Sequence, residues 1–266
     1  MQNLPIGIFD SGIGGLTVAH ALKKNLPNES IIYFGDTEHL PYGEKSNEAI
    51  KNFSKVITHF LIEKNCKAIV IACNSASSVA FEAVKQKAKN IPVFNVIDPV
   101  ANNIASSLSD CKIGVIGTKT TIQSKIYTKK INALKKSITV SSLATPLLVP
   151  MIEEGFINEQ ISNTIISKYL SNKSLRNINS LILACTHYPL IYNEIYSFYK
   201  GKVTLVNSAK IVAESIKEEL KNLDLLNIDN NPSYQFFISN YTKSFAKSAQ
   251  FFFQEEINIE SINIWN

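Results

Sequence analysis

The sequence predicts an α/β protein of two similar domains. Their mainly parallel sheets are flanked by helices, and a pseudo-twofold repeat places the active site in the cleft between them. Three observations predict it. Short apolar runs alternate with amphipathic helical stretches, the pattern of parallel sheets covered on both faces. The run Ile69-Val70-Ile71-Ala72-Cys73-Asn74-Ser75 has a counterpart in Leu181-Ile182-Leu183-Ala184-Cys185-Thr186-His187, with cysteines 112 positions apart. The segment Ile6-Gly7-Ile8-Phe9-Asp10-Ser11-Gly12 is answered 107 positions later by Ile113-Gly114-Val115-Ile116-Gly117-Thr118. One α/β unit used twice, each copy carrying one thiol, accounts for both repeats. Two matched thiols across a cleft suit a reaction that needs a base on each face of one carbon.

The elements follow in order. Residues 5–9 read as a strand, 16–26 as a helix and 31–34 as a strand ending in Gly35-Asp36. Between Ser46 and Asn65 the residues Ile50, Phe53, Val56, Ile57, Phe60 and Leu61 fall on one helical face, with Ser46 as N-cap. Strand 68–72, helix 75–89 and strand 91–96 complete the first unit. The second runs through helix 99–109, strand 112–116, helix 120–136, strand 138–143, helix 158–171, strand 180–184, helix 189–199 and strand 202–206. Helix 209–223 and a loop rich in Asn, Asp and Pro over 222–233 follow. Strands near 234–239 and 262–265 are expected to rejoin the first sheet. The domains are therefore expected to be 1–97 plus 208–266, and 98–207.

Composition narrows the class. The 266 residues are 45% hydrophobic and 18% charged, which fits a folded globular chain. No apolar stretch is long enough to span a bilayer, and the first residues carry no secretory pattern. The four cysteines, at 66, 73, 111 and 185, form no CxxC and no zinc spacing, as expected of a reduced cytoplasmic protein. The net charge of +5 comes from scattered lysines, the mark of solvated helix faces rather than of a nucleic-acid surface.

Ligands of open parallel sheets bind beyond the carboxyl ends of strands. That rule gathers Asp10, Ser11, Asp36, Cys73, Asn74, Ser75, Thr118, Cys185, Thr186 and His187, with the loop Leu40-Pro41-Tyr42-Gly43 able to join them. Cys73 and Cys185 each precede a helix, whose N-terminus is expected to lower a thiol pKa. Ser75 and Ser77 offer cap oxygens after the first, and Pro189 suits an early helical position after the second. Asp10 leads into Ser11-Gly12-Ile13-Gly14-Gly15, whose amides can approach an anion or simply form a tight turn capped by the aspartate. The same glycines lack the third glycine of a dinucleotide fingerprint, so a carboxylate site is preferred over a nucleotide site. His187 can hydrogen-bond the Cys185 thiol. His20, His39 and His59 show no such company. Of Glu153 and Glu154, either can enter the cleft or sit at a solvated helix start. Cys66 and Cys111 precede strands, away from the cleft.

Asp10-Ser11-Gly12-Ile13-Gly14-Gly15, Pro41-Tyr42-Gly43, Ala72-Cys73-Asn74-Ser75-Ala76 and Ala184-Cys185-Thr186-His187-Tyr188-Pro189, in this order, resemble the motifs of the glutamate racemases, in the aspartate/glutamate racemase family. The resemblance implies cofactor-independent conversion of L-glutamate to D-glutamate for peptidoglycan, in a cytoplasmic homodimer needing neither nucleic acid nor membrane. It carries the two cysteine bases onto Cys73 and Cys185, the assisting acid onto Asp10, the assisting histidine onto His187 and the family glutamate onto Glu153. Substrate contacts carry over to Asp10, Ser11, Tyr42, Gly43, Asn74, Ser75, Thr186 and His187, with Thr118 and Thr121 as further contacts. Asn207 stands where the family has Asp, which affects a charge expected near the cleft; a neutral Asn still caps a helix. Without a lysine at a cleft strand end, no Schiff-base cofactor is implied. An aspartate racemase, or a binding or redox-sensing protein using the two thiols, are the rival readings; the Asp10 and His187 partners favour acid–base chemistry.

Overall fold

The runs Ile6–Asp10 (β1), Ile31–Gly35 (β2), Ala68–Ile71 (β3) and Ser180–Ala184 (β7) are buried along their whole length, as only strands covered on both faces can be. The computed structural model describes residues 2–228, 231–241 and 249–265. The remaining strands are β4 (Val93–Asn95), β5 (Lys112–Gly117), β6 (Thr139–Ala144), β8 (Thr204–Val206), β9 (Tyr234–Ile238) and β10 (Ile259–Ser261). The helices are α1 (Leu16–Asn25), α2 (Asn47–Glu63), α3 (Asn74–Val79), α4 (Phe81–Ala88), α5 (Ile97–Ser107) and α6 (Lys119–Gln123). They continue with α7 (Ile126–Leu134), α8 (Leu148–Glu153), α9 (Gln160–Leu170), α10 (Tyr192–Tyr199) and α11 (Ser208–Asn222).

Among the described residues the strands form two sheets, in the orders β10-β9-β2-β1-β3-β4 and β6-β5-β7-β8, with every pairing parallel. The order β2-β1-β3-β4 is the order β6-β5-β7-β8 met four strands later, which is the repeat the sequence announced. The first sheet is extended by β9 and β10, as expected. Register sets the chemistry: Phe9 lies level with Ile71, so Cys73 clears the end of β3 beside Asp10. Gly117 lies level with Ala184, so Thr118 and Cys185 clear the matching ends of β5 and β7.

Helices α1, α5 and α11 carry one apolar core from the first sheet into the second. The other face of the first sheet has its own core under α2 and α4, joined by Ile262, Ile264 and Trp265. Among the described residues, no helix is long and apolar enough to cross a membrane.

Several expected elements are interrupted. The helix expected over 75–89 breaks at Ala80, where Ser77 Oγ donates back to the Ile71 carbonyl at 3.0 Å and Ser78 Oγ to the Ser75 carbonyl at 2.8 Å. Local hydroxyl bonds of this kind compete with a continuous helix. The helix expected over 120–136 breaks between α6 and α7, with Lys125 at φ 56° after Ser124 Oγ bonds the Thr121 carbonyl. Residues 189–199 begin as a 3₁₀ turn, and the final strand is 259–261 instead of 262–265. Ser46 caps α2 as expected, its oxygen accepting from the Ala49 amide at 3.2 Å. Within the expected loop over 222–233, residues 229–230 lie outside the described residues.

At the amino end of the first sheet, Lys67 and Glu29 form a buried ion pair at 2.5 Å. Glu29 also accepts from the Asn227 amide at 2.8 Å, and Lys67 donates to the Gln2 carbonyl. Glu29→Gln leaves a buried ammonium without its counter-charge and is expected to cost about 3 kcal/mol. Replacing both partners by Leu and Met is expected to recover most of that loss. Urea unfolding midpoints of the three proteins check both outcomes.

Candidate active site

A cavity of about 320 Å³ opens between the carboxyl ends of the two sheets. Ser11, Tyr42, Gly43, Cys73, Asn74 and Ser75 line it from one side, and Thr118, Glu153, Cys185, Thr186 and His187 from the other. Both thiols therefore face one space, brought there by strands that lie far apart in sequence.

On the first side, Asp10 is fully buried beneath Ser11 and Cys73 and does not reach the cavity wall. Its Oδ2 accepts from the Gly15 amide at 2.9 Å, while its Oδ1 is buried with no hydrogen bond among the described residues. The glycine-turn amides thus act on the aspartate itself. Burial raises the Asp10 pKa, with His187 and the turn amides acting in the opposite direction. Cys73 is the cap residue of α3: its sulfur accepts from the Ala76 amide at 3.4 Å, and its thiol donates to Ser11 Oγ at 3.7 Å. Ser75 and Ser77 do not take the capping role expected of them. The expected lowering of the thiol pKa also fails at Cys73. Burial, reinforced by Asp10, pushes it up to about 12, and the amide of Ala76 offsets only part of this.

On the second side, His187 occupies the space between Cys185 and Glu153. Its Nδ1 lies 3.8 Å from Cys185 Sγ and 3.5 Å from Thr186 Oγ1, and its Nε2 lies 2.9 Å from Glu153 Oε1. Burial alone would lower the histidine pKa; the Cys185 and Glu153 contacts override it and raise the value to about 10. The imidazole is therefore a cation at neutral pH. Glu153 is the last residue of α8 and reaches the cavity, whereas Glu154 points to solvent, so the glutamate stands at a helix end and not at a helix start. Pro189 takes the early position of the 3₁₀ turn as expected.

Contacts across the cleft join the two sides. Ser75 Oγ and Thr118 Oγ1 lie 2.8 Å apart, and Tyr127 donates its hydroxyl to Asn74 Oδ1 at 2.8 Å. Thr17 Oγ1 donates to the Thr186 carbonyl at 3.1 Å, and Thr120 Oγ1 to the Gly43 carbonyl at 3.1 Å. Two glycines are required by closeness alone. A Cβ on Gly14 would lie 2.4 Å from the His187 ring, and one on Gly43 would lie 2.6 Å from Thr118 Cβ.

Thr121 does not line the cavity; its amide and hydroxyl bond Thr118 from behind. Lys119 lines it from the start of α6 and at the rim pairs with Glu44 at 2.9 Å. Thr145 was missed, although it follows β6 and the strand-end rule would have found it; it reaches the cavity and bonds Tyr188 Oη at 2.6 Å. Asp36 is buried behind the Tyr42 loop, and His39 turns out to have company in it. Asn207 caps α11 by accepting from the Lys210 amide at 3.2 Å. It lines a different cavity from the thiols, so its neutrality removes no charge from the wall around them. Cys66 and Cys111 lie outside this site, as expected.

The model of the family described as Asp/Glu/Hydantoin racemase matches residues 16–216. The chain belongs to this family. Among relatives of this racemase, a glutamate racemase from Neisseria meningitidis is 41% identical over 98% of this chain and 100% of its own. One from Caldanaerobacter subterraneus is 39% identical over 99% of this chain and 96% of its own. The solved structure of a glutamate racemase from Francisella tularensis in complex with D-glutamate superposes with a TM-score of 0.94 at 39% identity, covering 100% of this chain and 99% of that one. The resemblance read from the four motifs thus holds for the whole length of this racemase, and so does the fold.

The folded pKa of His187 lies above its ordinary 6.5, so its partners contribute stability that is complete below pH 6.5 and lost as pH rises through about 10. Glu153→Gln removes one partner that raises the value. The His187 pKa is then expected to fall, and the loss of stability to set in at lower pH. NMR titration of the His187 ring, with thermal melts across the same pH range, checks the sign.

Proposed function

We propose that this racemase interconverts L- and D-glutamate without a cofactor, using Cys73 and Cys185 as the two bases. The observation that carries the reading is the pair of thiols on one cavity, each beside a different ionisable partner. The Cys73 thiol keeps its proton at neutral pH, being pushed up to about 12. Cys185 Sγ lies 3.8 Å from the His187 imidazole, whose far nitrogen Glu153 holds in place. The two sulfurs thus sit in unlike surroundings, Cys73 against buried Asp10 and Cys185 against His187, the asymmetry that a two-base exchange requires.

In the forward sense the Cys185 thiolate takes the proton from Cα, and the Cys73 thiol gives its own to the opposite face. The product leaves with inverted configuration. The thiol and thiolate have then exchanged places, and Asp10 beside Cys73 and His187 beside Cys185 assist each proton movement. The reverse reaction uses the cysteines in the other order. The α-carboxylate is held by Ser11, Asn74, Ser75 and Thr186, whose amides and hydroxyls are fixed before the substrate arrives. The Tyr42-Gly43 lip and Thr118, supported by Thr121, take the far end of the substrate. Desolvation on cleft closure strengthens every one of these contacts.

The relatives named above, with a D-glutamate complex among them, support glutamate over aspartate. Supply of D-glutamate for peptidoglycan, a cytoplasmic location and a homodimer belong to the same reading. So does the division into 1–97 plus 208–266 and 98–207, which puts one cysteine in each unit with the cleft between.

The test is cofactor-free protein in D₂O with L-glutamate, D-glutamate and L-aspartate. Optical rotation and the α-proton NMR signal are followed together. Racemisation of both glutamate enantiomers with deuterium entering at Cα is the expected result; activity on aspartate alone overturns the substrate. Cys73→Ala and Cys185→Ala are each expected to lower kcat/KM by about 10³-fold or more with unchanged melting temperatures. Wild-type turnover in either variant defeats the two-base scheme.

A second prediction concerns Gly14. A methyl group there meets the His187 ring at 2.4 Å from backbone that the β1–α1 turn holds fixed. Gly14→Ala is expected to reduce kcat by at least about tenfold through a displaced imidazole. A crystal structure of the variant with steady-state rates checks it.

A further inference from the structure

The chain's single tryptophan, Trp265, does not touch the cavity, yet a continuous set of contacts joins it to the cavity lip. Residues 262–265 run on from β10 along the far core face of the first sheet. The Ile262 amide donates to the Ile238 carbonyl at 2.9 Å, and the Trp265 amide donates to Asn263 Oδ1 at 2.9 Å. This turns the indole onto His39, edge to face, with ring centroids 4.5 Å apart. His39 also stacks on Phe53 at 4.0 Å, and Phe53 packs against both Trp265 and Tyr42 at 5.8 Å. The indole Nε1 is buried with no hydrogen-bond partner among the described residues, so ring contacts are what place it.

The polar side of the same cluster converges on Asp36. This carboxylate is fully buried and accepts from His39 Nδ1 at 3.0 Å, from Ser239 Oγ at 3.0 Å and from the Tyr42 hydroxyl at 2.6 Å. Tyr42 and Gly43 form the cavity lip, and Thr120 from the second unit donates to the carbonyl of Gly43. The His39 ring is held against Phe53 and Trp265, which also touch each other, while donating to the acceptor that holds Tyr42. Its orientation therefore fixes the direction in which Asp36 receives the tyrosine hydroxyl.

We propose that Trp265 is a positioning residue of this racemase. Acting through His39 and Asp36, it sets the Tyr42-Gly43 lip, and its emission reports when the lip closes on substrate. The inference rests on the glutamate reading and adds to it a residue outside the cavity. The lip holds the substrate away from the reacting carbon, so a misplaced lip weakens ground state and transition state alike. That raises KM and spares kcat.

The experiment compares the wild type with Trp265→Ala, Trp265→Phe and Asp36→Asn. Trp265→Ala is expected to raise KM for glutamate roughly tenfold with kcat held within about twofold, and Trp265→Phe, which keeps an aromatic edge on His39, to restore most of the affinity. In the wild type, saturating L- or D-glutamate is expected to shift the tryptophan emission and its quenching by acrylamide. Asp36→Asn keeps the ring stack and weakens the link to Tyr42; it is expected to abolish that shift. Should Trp265→Ala not fold, the Phe variant and the wild-type titration decide. Turnover with unchanged KM in Trp265→Ala, or an emission blind to saturating glutamate in an active wild type, overturns this inference alone. No turnover of glutamate by the wild type overturns the functional reading and this inference with it.

Discussion

Desolvation of two thiols in one cleft is the constraint on which the rest of the site depends. Water would level the difference between the two sulfurs, since exposed thiols of the same type titrate together. Buried, each sulfur answers to its own neighbours. Cys73 faces the fully buried Asp10 and holds its proton, whereas Cys185 faces an imidazolium tied to Glu153. The cost of burying these charges is met locally. The turn amides serve Asp10, and Glu153 compensates His187.

A dry cleft in turn demands that two units meet closely. The contacts that achieve this are small and polar: Ser75 with Thr118, Tyr127 with Asn74, Thr17 with Thr186, Thr120 with Gly43. The glycines at 14 and 43 admit this approach where any side chain would collide. Helices α1, α5 and α11 continue one apolar core between the sheets, so the floor of the cleft is as firmly packed as the sheets themselves. Only the rim is open to solvent, with Lys119 and Glu44 paired across it and both half exposed. An exposed pair of that kind adds little to stability and is weakened by salt.

Much of this was legible in the sequence. A buried parallel strand announces itself by an unbroken apolar run, and its carboxyl end is where side chains of both faces become free to act. Asp10, Cys73, Thr118 and Cys185 could all be found that way, and the repeat in spacing told that they form matched pairs. The same rule would have found Thr145. It was silent on Trp265 and His39, because nothing local marks a residue that acts through two others. It also missed the breaks at Ala80 and Lys125, where side-chain hydroxyls bond to the backbone inside helices whose apolar spacing is uninterrupted.

By itself the sequence determined the succession of strands and helices along the chain, the duplication and the two thiols at equivalent strand ends, with the family read from four motifs. These follow from periodicity and local spacing, which short stretches of chain carry. Tertiary structure alone decided that the glycine-turn amides fold back onto Asp10, that Glu153 bonds the far nitrogen of His187, and that the Cys73 pKa rises where a helix N-terminus would lower it. Each of these outcomes is a balance of burial against charge. Both terms are set by atoms that lie many residues away in sequence and become neighbours only when the two sheets close on one another.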